Sequence, residues 1–339
     1  VSGTTSLADN VSAVGALTFG ATTLTGDVIL TGTLTATTIT GGANNLVIAS
    51  ANPQIGAVVS TVDGDVVSFT SGNLTFDSTI NYQDTLDTGT GNQTFNGNVT
   101  MVSGPNFLAG GTITTGPGVT ISPNTYSLTM TGSVVLGGPV TPGKLTINGP
   151  SYIAADVTTT AASTGDQTYN GAVTLGGNVT LTANGGGVNT VIFASTIDGG
   201  GYDLTVNAVN ATKFQGAVSN VGTLTTDLVG SESTEIGADV SGTTLIFNDD
   251  VVLKADSTLT GTLTAKSIDG TQGGLVVASA NPQIGGTSAT VDGAALTGFT
   301  AGNPITFRES LQLTGNVSSG SGDQTYDGEV TLTGSATLS

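Results

Sequence analysis

Carboxylates are the ionisable side chains this 339-residue chain offers in number: 24 Asp and Glu stand against five Lys and Arg, with no His and no Cys. Without imidazole or thiol, Ser–His–Asp and Cys–His catalysis lacks its base or its nucleophile. Zinc likewise lacks the nitrogen and sulfur ligands of its usual cages. Calcium suits what remains, because it accepts carboxylate and carbonyl oxygens in flexible numbers. Spacing singles out Asp63 with Asp65, Asp198 with Asp203, Asp249 with Asp250, and Asp323 with Asp327 and Glu329. The calcium-binding nonapeptide G-G-x-G-x-D-x-U-x is absent, and GGGYDLTV at 199–206 meets only part of it. Asp also closes turns and solvates surfaces, which is the plainer account of each group. No organic cofactor is implied.

Paired carboxylates with a nearby cation would also suit a polysaccharide-cleaving enzyme. Here the cations Lys144, Lys213, Lys254, Lys266 and Arg308 are scattered singly, and Arg308–Glu309 is the one adjacent pair of opposite charge. The sequence therefore reads as a non-enzyme. A net charge of −19 argues against nucleic acid and against an anionic membrane surface, and no apolar run is long enough to span a bilayer. Asn-x-Ser/Thr sequons offer glycan acceptors at Asn10, Asn73, Asn92, Asn210 and Asn316, whereas Asn98 and Asn178 lie within strand-like runs.

The elements that would position these residues repeat. ILTGTLTA at 29–36 returns as TLTGTLTA at 258–265, IASANPQIG at 48–56 as VASANPQIG at 277–285, and VDG at 62–64 as VDG at 291–293. All three pairs share one offset without a gap, a long echo. A shorter unit lies inside: GNQTFNGNVT (91–100), GDQTYNGAVT (165–174) and GDQTYDGEVT (322–331) are one motif. With two weaker copies, its aromatics Phe19, Phe95, Tyr169, Phe247 and Tyr326 mark a unit of roughly 74–79 residues, three of which make one long echo. Between turn residues, Thr, Val, Ile and Leu alternate with the period of strands. Asp-Gly at 63–64, 198–199, 269–270 and 292–293, Asn-Gly at 96–97, and the Gly-Gly pairs are expected to supply positive φ at corners.

Fixed-period self-similarity with strand texture predicts an all-β fold, a right-handed parallel β-helix (β-solenoid) of about 19–20 residues per coil. Residues 1–339 would form one continuous solenoid of about 17 coils, an elongated rod near 80 Å at about 4.8 Å per coil. Irregular coils or loops are expected in 101–160. The aromatic markers, about four coils apart, should plug the core at corners instead of forming one stack. Because the repeat is out of register at the two termini, we expect a window on a longer repetitive chain.

QTYNGAVTL (167–175), GGGVNTVIFASTIDGGGYDLTVNA (185–208) and TKFQGAVSNVGTLTTD (212–227) follow in that order. They resemble the repeat of large secreted bacterial β-strand-repeat surface proteins, similar to filamentous-haemagglutinin-type adhesins. The likeness is strongest over 163–265 and weakest around 101–160. It implies a secreted, elongated β-helix at the cell surface, serving adhesion or a fibre, with no catalytic residues to carry over. Combined with the composition, it leads us to expect a structural extracellular protein. This would be the shaft or subunit of a surface filament, adhesin or biofilm matrix that self-assembles end to end or laterally. A glycan- or host-surface-binding module is the alternative.

Overall fold

The computed structural model describes residues 4–50, 52–103, 106–122, 125–161, 165–226, 233–285, 289–299 and 303–339. Its strands pair in parallel, coil upon coil, as a β-solenoid of about 15 turns, with no α-helix among the described residues. It divides into two compact units, Val1–Gly165 and Asp166–Ser339.

In the first unit a coil is typically three short strands joined by corners. Leu74–Phe76, Ile80–Gln83 and Thr85–Asp87 make one such coil, and Gln93–Phe95 and Val99–Met101 begin the next. Alternation decides which side chains face in. Leu74, Phe76, Val99 and Met101 are buried, while the intervening Thr75 and Thr100 face outward. A β-branched Thr favours the extended backbone without adding apolar surface to the outside. Stacking the coils puts like on like. Ile80 pairs with Val99, Val99 with Ile121, and isolated bridges continue the column through Val140 to Val157. Each of these five residues is at most 1% exposed.

The second unit repeats the arrangement. Val173, Ile197, Val218, Val240, Leu259 and Val277 form a buried column through successive parallel pairings. Beside it Tyr169, Phe193, Phe214, Ile236 and Leu253 form another.

Coil length varies more than the uniform value expected. Asn73 and Asn92 occupy matching places on successive coils at a sequence separation of 19. The separation shrinks to 17 between Thr131 and Asn148 and grows to 24 between Asp166 and Thr190. The strand Asn106–Thr115 shifts register between Leu108 and Thr112, inside the 101–160 segment where irregularity is expected. In the GPNFLAGG stretch there, Gly104 and Pro105 lie outside the described residues. The longest coils hold the long echo. Asn45 and Asn73 are matched at a separation of 28. Ile39 pairs with Val67 across the same coil, and Ile268 with Leu296 across its copy. These insertions lower the number of turns from the expected 17 to about 15.

The echo holds down to backbone angles. Leu34 N–H donates to Ser50 Oγ and Leu263 N–H to Ser279 Oγ, both at 3.1 Å and both buried. Asn52 and Asn281 share φ 47°, and Gly32 and Gly261 have φ 133° and 131°. Each copy ends in a 3-10 turn, Gly64–Val66 or Gly293–Ala295, capped by the Asp before it. The long repeat is thus a repeated three-dimensional insertion on a regular coil.

The corner glycines correct one expectation. Gly64, Gly97, Gly199, Gly270 and Gly293 are not among the residues with positive φ. They are glycines because the neighbouring coil leaves no room. A Cβ on Gly97 would lie 2.1 Å from the Ser78 carbonyl carbon, and one on Gly293 2.2 Å from the Asn316 carbonyl oxygen. Positive φ falls instead on glycines of the Gly-Gly runs, Gly42, Gly200 and Gly201, and on others such as Gly32, Gly56 and Gly89.

Candidate functional site

Six of the seven sequon asparagines, and Asp203, turn out to join one coil to the next. Their side-chain oxygen accepts the backbone N–H of the matching corner one coil on. In the first unit the rungs follow one another: Asn45 N–H donates to Asp27, Asn73 N–H to Asn45, Asn92 N–H to Asn73 and Thr112 N–H to Asn92, at 2.7–2.9 Å. The glycan candidates Asn73 and Asn92 are thus exposed corner rungs, and Asn10 and Asn316 accept from Ile29 and Thr337 in the same way. Asn210 differs, since its Nδ2 donates to Thr190 Oγ1 at 3.2 Å. Asn98 and Asn178 precede the strands Val99–Met101 and Val179–Ala183 and are also exposed rungs, accepting from Thr120 and Asp203. A corner N–H has no partner within its own strand, so the ladder supplies one.

The same economy disperses the calcium candidates of the second unit. Asp203 accepts from Thr223 N–H at 2.7 Å, while Asp198 caps its own turn through Gly200 N–H and accepts from Asn220 Nδ2. Asp249 and Asp250 are strand neighbours and so point to opposite faces. Asp249 is 1% exposed, its oxygens accepting from the hydroxyls of Thr226 and Thr234. Asp250 faces out to Ser267 at 2.5 Å and Lys266 Nζ at 3.1 Å. Those bonds, the Ser267 one foremost, hold its carboxyl below the usual aspartate range. Asp323, Asp327 and Glu329 are all solvent-accessible and are not brought together.

One candidate pair gains a third member. Carboxylate oxygens of Asp63, Asp65 and Asp84 lie within 4.8 Å of one another, and among the described residues no other group of three Asp or Glu does so. Asp63 and Asp65 belong to the capped 3-10 turn. Asp84 follows the strand Ile80–Gln83 of the next coil, where Val62 pairs with Tyr82 and Asp63 with Gln83. Asp84 escapes a sequence reading because its closeness to the other two depends on coil register, which the local spacing of acids does not report. Its backbone adopts φ 62°, unusual for a residue with a side chain. Beneath the group lies Tyr82, fully buried, its hydroxyl without a hydrogen-bond partner. Burial foremost, then the charges of Asp65, Asp84 and Asp63, push its phenol well above the usual tyrosine range, so the ring hydroxyl stays neutral.

Asp27 permits a direct test of the ladder. It accepts from the backbone N–H of Asn45 at 2.8 Å and from Asn45 Nδ2 at 2.9 Å, and these bonds hold its carboxyl below the usual 3.8. A depressed folded-state value contributes stability that is present above the unfolded value and lost as pH falls through the folded one. Melting temperature should therefore drop as pH is lowered from about 5 to about 2. Asp27→Asn, which keeps the acceptor oxygen without the charge, should flatten part of that drop. Identical acid limbs for the two proteins would rule out a contribution from Asp27.

Two of the scattered cations do meet an acid in a cleft, where Lys213, Glu235 and Lys254 share the lining with Phe214 and Gln215. Lys213 and Lys254 flank Glu235 at 3.1 and 3.7 Å, while Arg308 and Glu309 are both exposed. Among the described residues no helix is long and apolar enough to cross a membrane. Compared with known proteins, the chain matches no family model, no curated protein and no solved structure.

Proposed function

We propose that this chain is a structural protein of the cell exterior, forming the shaft or subunit of a secreted surface filament or adhesin. What it contributes is stiffness. The observation that carries this reading is where the bonds go: backbone ladder, buried columns and corner rungs all run from coil to coil. Such a design resists bending and shear along the stack, as a repeat fold with nearest-neighbour interfaces does. The resemblance to secreted β-strand-repeat surface proteins supports an extracellular location, and a charge of −19 would keep neighbouring stacks soluble and apart. We assign it no catalytic role, and its proposed partner is itself.

Sedimentation of the purified chain over a concentration series tests the assembly. The reading expects species growing with concentration, while a single unchanging monomer at all concentrations and salt strengths would contradict it. A glycan array on the same material addresses the alternative of a sugar-binding module. Selective retention of one glycan class would replace the structural reading with that one.

A further inference from the structure

The acidic group in the first unit has a natural control in the second. The long echo supplies a matching 3-10 turn, capped by Asp292 as the first is by Asp63. In that copy Val291 pairs with Leu313 and Asp292 with Thr314, just as Val62 pairs with Tyr82 and Asp63 with Gln83. Register therefore matches Asp65 to Ala294, Tyr82 to Leu313 and Asp84 to Gly315. Gly315 has φ 71°, the same left-handed conformation that Asp84 adopts at φ 62°. The scaffold accordingly forms with one carboxylate, a leucine and a glycine. Folding does not require three acids around a buried phenol.

We propose that Asp63, Asp65 and Asp84, with the Tyr82 hydroxyl beneath them, form a calcium-binding site. Three repelling carboxylates gathered around a turn that needs only one call for a compensating charge. The buried, unpartnered Tyr82 Oη is the second observation. A Cβ on Gly64, between Asp63 and Asp65, would lie 2.4 Å from that oxygen and 2.3 Å from the Thr85 carbonyl oxygen. Both neutral oxygens thus press against the turn that carries two of the acids. Oxygens on one calcium ion, each about 2.4 Å from it, can be at most about 4.8 Å apart. The three carboxylates meet that limit. Magnesium demands a strict octahedral array, keeps most of its water and is usually held by one or two carboxylates, not three. Zinc prefers nitrogen and sulfur, which this site lacks. The Asp63 side chain is already aimed by its cap to Asp65 N–H at 3.1 Å. A bound ion would tie the long insertion of one coil to the strand end of the next. The site goes beyond the structural function proposed above and stands or falls separately from it.

Terbium is the probe, because it takes calcium's oxygen ligands and emits when a neighbouring tyrosine is excited. The chain has no Trp, so tyrosine is the antenna. Titrating the full chain should give sensitised emission that calcium displaces and equimolar magnesium does not, with calcium affinity around 10⁻⁴–10⁻³ M. Asp84→Gly, which copies the matched Gly315, and the exposed Asp65→Asn should each weaken calcium binding at least about tenfold, two of three charged ligands remaining. Asp292→Asn, at the control turn, should leave binding unchanged. Calcium should raise the melting temperature of the unaltered chain and not that of Asp84→Gly, whose metal-free melting should equal or exceed the original. The proposal is overturned if the unaltered chain shows no calcium-displaceable emission. It is equally overturned if that emission survives intact in both Asp84→Gly and Asp65→Asn.

Discussion

Phe95→Ala should lower stability by about 3–5 kcal/mol, the cost of removing a fully buried aromatic ring from a core that cannot collapse around the hole. Phe95 is 0% exposed and lies between two rings, 5.7 Å from Phe76 and 5.0 Å from Phe107. Above and below it the backbone is fixed by parallel pairing to Leu74–Phe76 and to Ile113–Thr115. Neither neighbour can move inward without breaking its own ladder. Phe19→Ala is the informative comparison, since Phe19 occupies the corresponding place in a weaker copy of the motif but is only half-buried. It should cost less than half as much. Denaturant unfolding monitored by circular dichroism would measure both, and equal losses would contradict the burial and stacking assigned to Phe95.

Gly97→Ala should be nearly as damaging, about 3 kcal/mol or more, although it adds only one methyl group. That methyl would lie 2.1 Å from the Ser78 carbonyl carbon and 2.4 Å from its oxygen. The obstacle is backbone, so no rotamer change relieves it, and the two coils must separate locally. Gly42→Ala separates this cause from conformational strain: Gly42 has φ 59° but open space around a built Cβ. It should cost only about 1 kcal/mol, the usual penalty for a left-handed alanine. If Gly97→Ala melts with the unaltered protein, the close approach of coils at this corner is wrong.

Much of this architecture is legible in the residues. The alternation in VTM at 99–101 or VTL at 173–175 states which side chains face in, and the repeats state that the coils are stacked. The long echo likewise marks a real structural copy. What escapes is whatever depends on which residue lies one coil away. Steps of 17, 19, 24 and 28 from one coil to the next break any fixed spacing. The run from Asp27 through Asn45, Asn73 and Asn92 therefore has no constant period to detect. The same reason hides Asp84 from Asp63 and Asp65. In the sequence the markers Phe95, Tyr169 and Tyr326 look like isolated plugs, about four coils apart. Each is stacked on another ring, Phe76, Phe193 or Phe307, that the repeat motif does not contain. The QTY motif also carries a bond that its letters do not announce. Tyr169 donates to Gln167 Oε1 at 2.9 Å, both on the inner face, a bond that Phe95 cannot make to Gln93 in the QTF copy. The corner glycines are recognisable as necessary, but for a reason that does not apply to them. Their constraint is what packs against them, the neighbouring backbone at Gly97 and Gly293 and the Phe299 ring at Gly270, and no local rule about turns contains it.

The central claim is that coil-on-coil stacking is itself the function, performed outside the cell. Electron micrographs of the native material, with antibody against residues 166–339 marking the chain, test this most directly. The account predicts label along thin filaments or stalks at the cell surface. Label confined to the cell interior, or to short isolated particles, would contradict it.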